Sequence, residues 1–250
     1  MNANKSKKFK DMTKEEKREK IKDVISLIVL LSFSIPVVYL IFKIITIDHG
    51  YIDPLTGRGR SDYVLMLIQC LLGILALTIP NMFFKKRKIE IPTNMYILYM
   101  IFLYCAITLG ELRNFYYRIP NWDTILHTFS GGMIGALGFS FVSLFNKTEN
   151  LHLKLTPFFV ALFAFMFSVT LGVVWEVYEF AFDGLLGLNM QKFMNESGMP
   201  LVGRFALADT MEDLIVDIWG AFIMSTIGYI SLKYKKGWIE NLLIKVRKHD

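Results

Sequence analysis

Cysteine is nearly absent from this chain. Its 250 residues hold two, Cys70 and Cys105, each inside an apolar run and without metal-ligand spacing, so both read as reduced packing residues and leave the redox compartment open. Several signatures of common chemistry are missing as well. There is no P-loop, no dinucleotide fingerprint, no nucleophile elbow and no HExxH motif, so none of those chemistries has its usual foothold. No internal repeat is visible, which weakens a repeat-built transporter. The first apolar run is too long for a signal-peptide core and lacks a convincing small-residue cleavage site, so it should remain as an anchor. The formal charge of +6 comes without an RNA- or DNA-binding motif, and its basic residues gather at the ends of apolar segments. Nucleic acid is therefore not an expected partner.

Apolar residues are what the chain has in excess. With 54% hydrophobic content and positive mean hydropathy it is too apolar for a soluble domain. The expected fold is an all-α polytopic membrane helix bundle with the lipid bilayer around it. Six spans are expected, at about 24–47, 63–84, 95–112, 122–145, 155–182 and 207–234, the third only just able to cross roughly 30 Å of hydrocarbon. Residues 1–23 make a basic N-terminal segment, with Thr13 and Glu16 in capping-box spacing, so a short helix is expected there after a disordered start. Residues 24–234 make the membrane domain and 235–250 a basic tail. Pro36 is placed to kink the first span, and Lys43 to snorkel to the interface.

Charge selects an orientation. With both termini cytosolic, the inner segments, including Lys85-Lys86-Arg87-Lys88, hold twenty-one of the 28 Lys/Arg, and the outer loops hold six. The positive-inside rule favours this topology, with both termini on the cytosolic side. The acids separate the other way, thirteen outside and nine inside. The outer face is thus net acidic and suits a cation, a metal or a cationic ligand.

The organising stretch is Trp175-Glu176-Val177-Tyr178-Glu179-Phe180-Ala181-Phe182-Asp183. Its carboxylates recur every three or four residues and so share one helical face. A carboxylate in hydrocarbon costs several kcal/mol unless it is paired, hydrated or coordinated, which makes intramembrane acids functional candidates. The fourth span carries Asp123 and His127 four residues apart; the sixth carries Asp209, Asp213 and Asp217 at the same interval, with Glu212 beside them. Below this layer the same faces turn small, through Gly131 and Gly135, Ser168 and Gly172, and Gly220, Ala221 and Gly228. Small residues let membrane helices approach closely, so spans four, five and six should pack around one pocket.

Carboxylates with one imidazole from facing helices are what a divalent-metal site in a helical bundle uses. The candidate ligands are His127, Glu176, Glu179, Asp213 and Asp217, and oxygen-rich ligation with one nitrogen suits Mn, Fe, Mg or Zn without choosing among them. Asp123, Asp183, Asp209 and Glu212 are candidates for supporting or capping roles. The plainer readings are specific. Asp209 with Glu212, and Asp123, can be helix caps; Glu111 can pair with Arg113, Arg118 or Arg204; a lone His127 can be a satisfied polar residue. Glu176, Glu179 and Asp217 resist such readings, the glutamates because they sit at the wrong helix end for a cap. Asn195-Glu196-Ser197 has sequon form, meaningful only in a eukaryotic secretory setting. The outer loop from Gly184 to Ala208 is long enough to be a lid or interfacial segment, or else simply a mobile loop.

Trp122-Asp123-x-x-x-His127-x-x-x-Gly131, Glu176-x-x-Glu179 and Asp209-Thr210-x-x-Asp213-x-x-x-Asp217-x-x-Gly220-Ala221 resemble the YjdF-like bacterial inner-membrane proteins over about residues 95–230. The chain departs from that pattern at Ala208-Asp209-Thr210-Met211, where the family has a Trp-Asp-Thr-Gln element, and at Phe180, in place of an acid-Trp pair. The resemblance implies a multi-pass bacterial membrane protein and supplies no reaction.

Three functions fit the residues. One is a membrane protein whose acidic pocket binds a divalent cation or only fixes helix register. Another is a metal-dependent hydrolase or transferase acting on a lipid or envelope-derived substrate, with Glu179 or Asp123 as general base. The last is a cation or proton-coupled carrier, against which the inner halves of the spans hold almost no ionisable residues. Oligomeric state is not encoded legibly.

Overall fold

The computed structural model describes residues 12–48, 50–54, 57–86, 89–146, 155–195 and 198–246. Arg87, Lys88, Glu196 and Ser197, which bear on the basic cluster and the sequon, lie outside them, as do the first eleven residues and the last four.

The described chain is helical apart from a two-residue antiparallel pairing. Its helices are α1 (Lys14–Thr46), α2 (Arg60–Lys86), α3 (Thr93–Leu103), which continues as a π-helix (Tyr104–Leu112), the single turn α4 (Phe115–Arg118), α5 (Trp122–Asn146), α6 (Pro157–Leu186) and α7 (Ala208–Lys233), which a 3-10 helix (Gly203–Leu207) leads into. Six of these segments are long and apolar enough to cross a membrane. α1 forms as one piece: Thr13 accepts from the Glu16 amide while the Glu16 carboxylate accepts from the Thr13 amide, and the helix runs from this box straight through Pro36 to Thr46. The short N-terminal helix expected from the sequence is thus the first turns of the first span. Pro157 occupies the first turn of α6, and Gly187 ends it at φ 65°, a left-handed conformation suited to glycine.

Polarity is inverted relative to a water-soluble fold. α6 exposes Val177 (61%) and Phe180 (69%) yet buries Glu176, Glu179 and Asp183 on its opposite face. Such a continuous apolar exterior is stable only against hydrocarbon.

The helices form two groups of three. α1, α2 and α3 enclose an apolar core around Phe33, Met66, Cys70 and Met100. α5, α6 and α7 pack backbone to backbone. A Cβ on Gly220 would lie 2.1 Å from the Thr128 carbonyl oxygen, and one on Gly131 2.5 Å from that of Asp217, so only glycine permits these approaches. Ser168 Oγ donates to the Gly131 carbonyl across the α5–α6 contact at 2.7 Å. The groups meet along α3 and α5, where Phe102 stacks on Phe129 with centroids 6.2 Å apart.

Beyond α7 the chain folds back. Ile239 and Ile244 are buried, the Ile244 amide donates to Ser140 Oγ of α5, and Lys245–Val246 (β2) pairs with Ile89–Glu90 (β1) in the α2–α3 connection. This ties the two groups together at the end of the bundle opposite the acids.

Candidate functional site

α5 begins at the polar end and α6 arrives there, while α7 starts there; their three- and four-residue spacings therefore aim the acids inward at one depth. Gly172 of α6 faces Asp217 of α7, since a Cβ at Gly172 would lie 2.6 Å from Asp217 Oδ2. One turn along each antiparallel helix brings Glu176 to the level of Asp213. The register is confirmed by Gln191, whose side-chain amide donates to Thr210 Oγ1 at 2.9 Å and to Glu176 Oε2 at 3.4 Å.

His127 lies at the centre and is 8% exposed. Its Nδ1 is 3.3 Å from Asp217 Oδ2. A carboxylate only accepts, so Nδ1 is the donor in this contact, and Nε2 lies on the other side of the ring. There Nε2 lies 3.7 Å from Asp123 Oδ1 and 3.9 Å from Asp213 Oδ2. These distances are too long for hydrogen bonds. They match the edges of a coordination polyhedron: ligands about 2.0–2.2 Å from one four-coordinate ion stand roughly 3.5 Å apart. Asp123, His127 and Asp213 each offer one ligand atom, all within 4.8 Å of one another. Asp217 is fixed in turn by Ser130, whose hydroxyl donates to its Oδ1 at 3.3 Å.

The other acids have distinct settings. Glu179 accepts from the Trp175 indole at 2.9 Å. Glu176 is 5% exposed, and its Oε1 is buried with no hydrogen-bond partner, as is Asp209 Oδ2. Asp183 anchors the following loop, accepting from the Met190 amide at 2.7 Å and the Gln191 amide at 3.0 Å. Glu212 is exposed on the outer side of α7, away from the buried Asp213 and Asp217. Asp209 does not cap α7, which begins without a side-chain cap; it binds a lysine instead. The Arg58 guanidinium donates to the backbone carbonyls of Glu111 at 2.5 Å and Leu112 at 3.3 Å.

That lysine, Lys192, is the participant the sequence did not single out. Its ammonium bridges Asp209 Oδ1, at 2.7 Å, and Asp123 Oδ2. The backbone reaches there because Asp183 gathers two loop amides and Lys192 takes φ 45°. Burial alone would pull the ammonium down, but the carboxylates of Asp123 and Asp209 outweigh it and hold the group above the ordinary lysine value. The 187–195 part of the outer loop is thus clasped to the site: beyond Lys192, the Asn189 side chain exchanges hydrogen bonds with the Met194 backbone. Tyr116 borders the same field. Burial, reinforced by Asp123, Glu111, Glu179 and Asp213, pushes its phenol well above the usual value, so it stays a neutral donor.

Chemically, the cluster offers one imidazole nitrogen facing two carboxylates, a third carboxylate bracing the ring, and further acids within a turn. No solved structure matches this chain. It is 30% identical over 151 residues to an uncharacterised protein of Thermotoga maritima, an alignment covering 60% of this chain and 69% of that one. The model of the predicted membrane protein family DUF2238 matches residues 28–234, a segment that contains most of the first span, the other five and every acid of the cluster. The chain therefore belongs to the DUF2238 family of predicted membrane proteins, in keeping with its likeness to the YjdF-like proteins.

Proposed function

We propose that this membrane protein binds a divalent cation between α5, α6 and α7, with His127 Nε2, Asp123 and Asp213 as ligands. The observation that carries the reading is the two-sided use of His127: Asp217 fixes Nδ1 while Nε2 faces two carboxylate oxygens at non-bonding, ligand-edge distances. A carboxylate–histidine–metal arrangement uses the imidazole this way. The Glu176 Oε1, buried and unpartnered although Gln191 donates to Oε2, supports it, because an ionised carboxylate in hydrocarbon is stabilised by positive charge nearby. Mn, Fe, Mg and Zn all suit such a donor set. Glu176 and Glu179 stand one turn away on α6. In this reading Asp217 braces His127 and does not bind the ion, and Asp123 is a ligand as well as a partner of Lys192.

A bacterial inner-membrane setting is supported by the likeness to the YjdF-like proteins, and cytosolic termini by the Lys/Arg distribution. The cluster then faces the outside. Elemental analysis of the purified full chain tests the cation reading: about one bound divalent ion per chain, lost in His127→Ala and in Asp213→Asn. A folded wild-type protein that holds no metal, before or after incubation with each candidate ion, overturns it.

A second reading, metal-dependent chemistry on a lipid or envelope substrate with Glu179 as general base, is favoured by one observation. An apolar groove borders the helix that carries Asp123 and His127.

A further inference from the structure

The groove lies between α3, α5 and α7, on the side of the α5–α7 contact away from α6. Leu98 of α3, Phe129 and Met133 of α5, and Met224 and Ile227 of α7 line it, and Leu242 of the returning C-terminal segment floors it. Its upper rim is Thr124, the residue after Asp123. From Thr124 to Ala136 it follows α5 for about 18 Å at the helical rise. Its volume of about 510 Å³ along that length has room for a polymethylene chain laid beside α5. Every wall belongs to a membrane-spanning segment or to the floor beneath it, so the medium that fills the groove is acyl chain.

We infer that the groove seats one acyl chain of a phosphate-bearing lipid whose headgroup reaches the cation site at Asp123, His127 and Asp213; the headgroup half of this inference rests on the cation reading above. The chain's upper end emerges at Thr124, next in sequence to Asp123 and at the same end of the bundle as the proposed ion and Lys192. Three protein ligands leave coordination positions for an outside oxygen, and a phosphate is the charged oxygen donor that a phospholipid carries at the top of its chain. A neutral diacyl lipid fits the groove but brings no anion to the ion. The observations thus select the substrate class, a phospholipid or lipid phosphate.

The full chain in nanodiscs, with a diazirine-bearing acyl chain on phosphatidic acid or on diacylglycerol, provides the test, and adducts are mapped by mass spectrometry. Labelling at Phe129, Met133 and Met224 should exceed that on the lipid-facing α6 stripe of Val174 and Val177 several-fold. It should fall to the α6 level when Ile227→Trp fills the groove, with Met133→Trp as a second blocking variant should the first fail to fold. With metal present, phosphatidic acid should label the groove several-fold more than diacylglycerol does. Even labelling of groove and α6 stripe, or equal labelling by both probes on metal-loaded protein, overturns the inference. Metal content measured on the same samples separates the two readings. A protein without metal overturns the cation reading, and the headgroup half with it, even if the groove labels preferentially. A metal-loaded protein without groove preference overturns this inference alone.

Discussion

In the proposed site the Nδ1–H of His127 donates to Asp217, so the charge of Asp217 acts through the ring on the nitrogen that would face the ion. Asp217→Asn keeps an acceptor for that proton and removes the charge. Affinity for Zn or Mn is expected to fall about 10–100-fold, the usual cost of removing such a partner, read by competition against a metal indicator. Abolished binding equal to that of His127→Ala would make Asp217 a direct ligand, and unchanged affinity would remove its bracing role. At this scale the sequence revealed the faces: four-residue spacing alone puts Asp123 under His127 and stacks Asp209, Asp213 and Asp217. Which nitrogen meets which carboxylate depends on the rotation of α7 against α5, and no spacing encodes that. Lys192 was illegible for another reason. It lies in a loop, and its placement depends on Asp183 gathering the Met190 and Gln191 amides and on a left-handed backbone at an ordinary lysine. The available hint was that it is one of the few cations outside the basic inner segments.

At the scale of elements, three helices carry the site only because their backbones nearly touch. Gly220→Ala would place a methyl 2.1 Å from the Thr128 carbonyl, which belongs to the α5 backbone and cannot step aside. The variant should lose about 1–3 kcal/mol of stability to overpacking, measured by thermal unfolding in detergent. Gly132→Ala is the contrast: its nearest neighbour across the contact would be the Gly220 carbonyl at 3.6 Å, an ordinary distance, so it should be close to neutral. Equal effects of the two would show that the α5–α7 approach is looser than described. The glycine stripes announced this packing in advance, because small residues have few other reasons to recur on the polar face of a membrane helix. The π-helix of Tyr104–Leu112 was not legible. Its wider turns go with tertiary contacts, Tyr116 against Gly110 and Ser32 against Thr108, for which local propensity has no signal.

For the molecule as a whole, hydropathy sufficed to give six spans, since hydrocarbon demands long apolar helices. The division into two groups, and the tail that returns to pair with the α2–α3 connection, follow from side-chain fit between distant segments and were not readable. The orientation proposed from charge is testable with single cysteines in a Cys70→Ser, Cys105→Ser background. Val202→Cys, in the exposed α6–α7 loop, should react with a membrane-impermeant maleimide in intact cells, and Glu240→Cys only after permeabilisation; the reverse pattern would invert the topology and put the acids on the cytosolic side. The most direct test of the cation site is anomalous diffraction from crystals grown with Mn or Zn. The account predicts one peak about 2.0–2.2 Å from His127 Nε2 and from carboxylate oxygens of Asp123 and Asp213. A folded protein whose Nε2 instead makes a direct hydrogen bond to a carboxylate, with no peak at that position, would contradict it.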